Sequence, residues 1–168
     1  MPDLETPRLS LRALTAEEGA ALEAGELPAG FAYAEGYPMP DTRDGVGLYL
    51  RHGVRDWGFH LMVRRDDGLV VGEIGFVGPP RHDAVTIGYA VVPFARRQGY
   101  ATEAIAALAR WAVGQPGVAE VRAQTLPDNE GSIRALLNAG FTEDEPLEKV
   151  RRFAYRGESA TSSPPSSS

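Results

Sequence analysis

The chain has no cysteine. Disulfides, a thiol nucleophile and a zinc–thiolate centre are therefore excluded. A cysteine-free chain fits any compartment, and the cytoplasm is the default expectation. Lysine is almost missing: Lys149 stands alone against sixteen arginines. It lies outside any glycine-rich phosphate loop, which excludes a Walker-type P-loop. A Schiff-base enzyme would have to use Lys149 itself, in a charged stretch without the makings of a pocket. The arginine excess has a bland reading, codon bias, and that one is preferred. No apolar run approaches the roughly 18 residues that span a bilayer, so a membrane is not an expected partner. The opening MPDLETPRL has neither a basic nor an apolar segment, and no secretory signal is expected there. His52, His60 and His82 have no metal-ligand spacing and no G-x-S-x-G partner, so no metal is expected.

What is present fits one globular domain with a proper core, expected over residues 1–157. Residues 158–168, rich in serine and proline, read as a disordered tail. The net charge of −6 is uneven. Residues 1–60 hold ten acids and five arginines, while the remainder holds thirteen acids and twelve bases. Nothing here attracts nucleic acid. The acidic first third either draws a cationic substrate or forms solvated helix faces, the blander and favoured reading.

Alternation over Arg8–Leu14 predicts a strand, and Thr15 caps a helix running to about Ala24. Residues 25–40 read as a loop carrying Phe31, Tyr33 and Tyr37. Asp41 or Thr42 caps a second helix to about Asp56. Trp57–Val63 and Leu69–Val77 form a hairpin about Arg64–Gly68. Val85–Val92 is a strand, Tyr100–Val113 a helix and Val118–Thr125 another strand. The helix presents Ala101, Ala104, Ile105, Leu108, Trp111 and Ala112 on one face. Asn129–Ala139 is a helix with Ile133, Leu136 and Leu137 inward, and one or two strands follow from Phe141 to Arg156. The class is mixed α/β.

The most informative stretch is VTIGYAVVPFARRQGYATE, from Val85 to Glu103. A strand stopped by Pro93 leads through Arg96-Arg97-Gln98-Gly99 into a helix. Unpaired N–H groups and the helix dipole make such a start an anion site. Gly99 lacks a Cβ and allows close backbone approach. Arg96 and Arg97 add charged donors.

With Asn129-Glu130-Gly131-Ser132, the LLNAGF that follows, the opening TPRLSLRAL and the strands VGEIGF and IGYAV, this turn resembles the GNAT superfamily of acetyl-CoA-dependent N-acetyltransferases. The opening and those two strands look like the branch that includes the ribosomal-protein N-terminal acetyltransferases. The likeness runs from Thr6 to about Tyr155. It implies a mixed, mostly antiparallel sheet flanked by helices, with two central strands, Val85–Val92 and Val118–Thr125, splayed around the pantetheine arm. It implies acetyl-CoA as co-substrate. The pyrophosphate would lie on the N–H groups from Arg97 to Thr102, a stretch that holds Gln98, Gly99, Tyr100 and Ala101. The thioester carbonyl would bond backbone near Val91.

The same resemblance gives Asn129 to the pantetheine arm and Ser132 to the sulfur, where many members have a tyrosine as general acid. The local alternative is that Asn129 is only a helix cap and Ser132 only a first-turn residue. Glu73 is a lone carboxylate in an apolar strand between Gly72 and Gly75, which leave space around it. It is a general base of raised pKa, or it faces solvent on a half-exposed sheet, or it pairs with an arginine. Tyr89 and Tyr33 are candidate walls of the acceptor pocket, as are Phe31, Tyr37 and Trp57; core packing competes for each. The function expected is transfer of an acetyl group to a primary amine, either a protein N-terminus or a small molecule, by a monomer or homodimer. A non-catalytic acetyl-CoA-binding module and an unrelated nucleotide-binding domain are the competing readings. The last ranks lowest, since G-x-G-x-x-G and the P-loop are absent.

Overall fold

The computed structural model describes residues 1–52 and 57–157. The tail at 158–168 and the expected end of the second helix, 53–56, lie outside the described residues. The chain forms β1 (Leu4–Glu5), β2 (Leu9–Ala13), α1 (Ala16–Glu23), β3 (Ala32–Tyr33), α2 (Thr42–His52), β4 (Phe59–Arg64), β5 (Leu69–Phe76), β6 (Ala84–Val91), α3 (Tyr100–Val113), β7 (Glu120–Thr125), α4 (Glu130–Asn138), β8 (Thr142–Leu147) and β9 (Val150–Tyr155). The strands make one sheet in the order β1-β2-β4-β5-β6-β7-β9-β8, with β3 alongside β5. All pairs are antiparallel except β3–β5 and β6–β7.

The parallel pair β6–β7 is the feature that matters. Its register holds only from Ala84↔Glu120 to Thr86↔Arg122. Beyond it β6 runs on to Val91 and β7 to Thr125 without pairing to each other. The two strands therefore splay, as the sequence resemblance implies. On its other side β6 stays laddered to β5 as far as Gly72↔Val91.

α1 starts at a capping box in which Thr15 and Glu18 satisfy each other's backbone N–H groups. α3 buries Tyr100, Ala104, Ile105, Leu108, Ala109 and Ala112. Trp111 is only half-buried, and packs edge-on against Trp57 with ring centroids 5.5 Å apart. Phe76 joins both rings, so Trp57 serves an aromatic cluster. α4 departs from expectation at Leu137, which is 48% exposed. That helix packs against α3 and β8 at the sheet's end, so its buried stripe is narrow.

Candidate active site

Glu73 sits in the middle of β5, 5% exposed. Its burial excludes the solvent-facing reading, and it pairs with no arginine among the described residues. Its Oε1 accepts hydrogen bonds from the Tyr37 hydroxyl and the Thr42 hydroxyl, each at 2.9 Å. The Thr42 oxygen in turn accepts from the Met39 N–H at 3.0 Å, which fixes its direction. Oε2 has no hydrogen-bond partner among the described residues. It is open to a cavity, for among the described residues the one sealed side-chain polar atom without a partner is His60 Nδ1. Burial pushes the Glu73 carboxyl above the ordinary range; the two hydrogen bonds oppose that, and Asp41 adds to it.

The cavity holds about 250 Å³. Asp41, Asp44, Gly45 and Leu48 form one wall, Phe59, Glu73, Phe76 and Val77 a second, and Gly88, Tyr89 and Ala90 of β6 a third. Gly45 keeps it open: a Cβ there would stand 4.0 Å from Glu73 Oε2 and 3.7 Å from the Phe59 ring. Gly72 and Gly75 do a different job from the one expected. A Cβ on Gly72 would lie 2.5 Å from the Ala90 carbonyl oxygen, and one on Gly75 2.9 Å from the Phe59 Cα. They let β5 approach its neighbours rather than clear room around the carboxylate.

Tyr89 ties this cavity to the opposite side of the splay. Its hydroxyl is 2.5 Å from Ser132 Oγ, in the first turn of α4. Burial raises the phenol's pKa, offset in part by Ser132, so Tyr89 is a neutral phenol at pH 7. Asn129 is the α4 cap, its side-chain oxygen accepting the Ser132 N–H at 3.1 Å. Tyr33 lies behind Tyr37, rings stacked at 5.6 Å, and donates to the Pro28 carbonyl at 2.6 Å. It does not line the cavity. Phe31 packs under the Arg12 guanidinium.

At the end of β6, Val92 donates to the Val71 carbonyl. By the alternation of an antiparallel ladder, the Val91 N–H and C=O then point away from β5, into the splay. Arg96 Nε donates to that Val91 carbonyl at 2.9 Å, so Arg96 also pins the turn to the strand. Gln98 donates to the Phe94 carbonyl at 3.1 Å. Arg97 and Gly99 take positive φ of 64° and 86°. Gly99 caps α3 without a side-chain hydrogen bond. The first-turn N–H groups at Tyr100, Ala101 and Thr102 have no acceptor within the helix. Arg96 to Gly99 are all exposed.

Tyr37 and Thr42 as partners of Glu73, and Asp41 and Asp44 as cavity walls, are candidate roles that sequence reasoning missed, Tyr37 having been expected only as a pocket wall. The only signals were the loop aromatics, the cap assignment and the acidic first third. Among the described residues no group of three or more His, Cys, Asp or Glu is placed to hold a metal ion, and no helix is long and apolar enough to cross a membrane.

Residues 8–142 match the family model described as an acetyltransferase (GNAT) domain. Two relatives come from Bacillus subtilis strain 168. The uncharacterised N-acetyltransferase YoaA is 28% identical over 165 residues, 92% of this chain and 89% of its own. The uncharacterised N-acetyltransferase YjdG is 29% identical over 109 residues, 64% of this chain; the match spans 65% of that protein, just under two thirds. Among solved structures, a ribosomal L7/L12 α-N-protein acetyltransferase in complex with coenzyme A superposes with a TM-score of 0.65. The match covers 92% of this chain and 98% of that one at 15% identity, a likeness of fold.

Proposed function

The chain belongs to the GNAT acetyltransferase family, and we propose that it moves the acetyl group of acetyl-CoA onto a primary amine by direct attack in a ternary complex. One observation carries this reading: a buried carboxylate with one oxygen pinned by two hydroxyls and the other open to a cavity beside the splay. Residues 1–157 form the catalytic unit. It works in the cytoplasm as a monomer or homodimer.

The pyrophosphate lies on the N–H groups from Arg97 to Thr102, where the helix dipole and the Arg97 charge favour an anion. The pantetheine arm follows the gap between β6 and β7, with Asn129 alongside it. The Val91 N–H, aimed into that gap, bonds the thioester oxygen and then the oxyanion. The amine nitrogen attacks the thioester carbon. An acceptor that arrives as its ammonium first gives one proton to Glu73 Oε2, directly or through a water, and the proton that the nitrogen sheds after attack offsets the one that the departing thiolate takes. As the C–S bond breaks, the thiolate takes a proton from the Ser132–Tyr89 hydroxyl pair. Hydrogen bonding to Tyr89 gives Ser132 a partner that can replace its proton. Tyr89 thereby serves both the acceptor cavity and the leaving group. Tyr33 supports Tyr37 from behind rather than meeting the acceptor.

The test is thiol release from acetyl-CoA with a panel of amines, small molecules and peptides with free N-termini. Turnover with at least one is the expected result. Tight acetyl-CoA binding with no turnover on any of them would make the chain a non-catalytic binding module.

A further inference from the structure

Among the described residues, three carboxylates and no Arg, Lys or His line the acceptor cavity. Glu73 lies at depth, while Asp41, just before α2, and Asp44, in its first turn, stand at the same cavity. Both aspartates are exposed, and neither carboxylate makes a hydrogen bond or ion pair with a described residue. Acids at a helix start have an ordinary use, since they favour the helix dipole. Two further facts argue for more here. The nearest cation in sequence, Arg43, is turned away and donates to the Glu23 carbonyl at 2.8 Å. Glu73, 95% buried by its 5% exposure, leaves Oε2 unpartnered and facing the same space. Between the deep and the outer carboxylates the walls are apolar: Leu48, Phe59, Phe76 and Val77.

We propose that the acceptor is a small dication, an alkyl diamine whose reacting nitrogen meets Glu73 while its second ammonium is held by Asp41 and Asp44, with the methylene chain against the apolar walls. This rests on the acetyl-transfer reading and names its substrate class. A cavity of about 250 Å³ suits such a molecule better than several residues of a peptide. An acceptor bearing its own carboxylate next to the amine is repelled by all three acids.

The experiment uses the full chain saturated with CoA, which forms a dead-end complex. Calorimetric titrations with 1,4-diaminobutane and with butylamine are compared, and initial rates with acetyl-CoA are measured for both. The diamine is expected to bind at least about fivefold more tightly than the monoamine at low salt, from one added charge contact at a partly exposed site. That ratio should fall as salt rises. In the Asp41→Asn, Asp44→Asn double variant it should approach one, through KM rather than kcat. Equal binding of the two amines, or a ratio that the double variant leaves intact, overturns the proposal. So does faster acetylation of a peptide N-terminus than of the diamine, although the acetyl-transfer reading then stands. Selective diamine binding without turnover supports the cation site and counts against acetyl transfer alone.

Discussion

At the scale of single residues, Glu73 is held by opposing effects. Burial raises its pKa, while the Tyr37 and Thr42 hydroxyls stabilise the charged form and pull it back. Removing one donor leaves burial less opposed. Tyr37→Phe should move the acidic limb of the rate–pH profile to higher pH, because the base then holds its proton longer. It should also destabilise the fold modestly, by about 1.5–3 kcal/mol for a hydrogen bond to a charged group. The pH dependence of kcat/KM checks it, and an unmoved limb would mean that Glu73 does not carry the proton. Glu73 itself was legible in the sequence, since a lone carboxylate inside VVGEIGF needs a reason to be there. Its partners were not, because they lie 36 and 31 residues away and only the fold brings them close.

At the scale of elements, β5 and β6 must stay closely laddered for Glu73 and Val91 to face the same reaction. Gly72 is the contact that permits it. Gly72→Ala places a Cβ against backbone of β6, 2.5 Å from an oxygen that moves only with its strand. We expect a loss of about 1–3 kcal/mol in stability and weaker acetyl-CoA binding as Val91 shifts. Gly88 is the control, for a Cβ there meets nothing within 4 Å. Gly88→Ala should leave stability within about 0.5 kcal/mol. Gly88→Leu should fold and raise the acceptor KM by filling the cavity. Thermal melts and acceptor kinetics separate the two glycines, and similar behaviour would contradict the packing argument. Elements with strong periodicity or caps were legible, among them α3, whose bounds Tyr100–Val113 match the expectation. β1 and β3 were not, because two-residue strands exist only through their partners β2 and β5. Leu137 misled because helical spacing says which residues share a face but not how wide a neighbour covers it.

For the molecule as a whole, the turn before α3, the β6–β7 splay and the cavity lie around one strand, so stability and activity can be tested apart. His60, fully buried in β4, bears on stability alone. Burial pushes its imidazole down from 6.5 to about 4, despite the hydrogen bond to the Pro2 carbonyl. A lowered histidine contributes full stability above its unfolded pKa and loses it as pH falls, here from 6.5 towards about 4. The loss is on the order of 3 kcal/mol. His60→Gln, which retains a donor for Pro2, should flatten the melting temperature against pH across that window; an unchanged slope would show that another group is responsible. The general architecture was legible in the turn motif, whereas the depth and acidity of the cavity required the fold. The central claim is that Glu73 is the base, and turnover of Glu73→Gln near neutral pH tests it most directly. The amide oxygen can still accept from Tyr37 and Thr42, so acetyl-CoA affinity should be retained. With an accepted amine, kcat should fall by about 10²–10⁴-fold and the acidic limb should vanish. Full turnover in this variant, with the limb unchanged, would contradict the account and leave Glu73 a structural group.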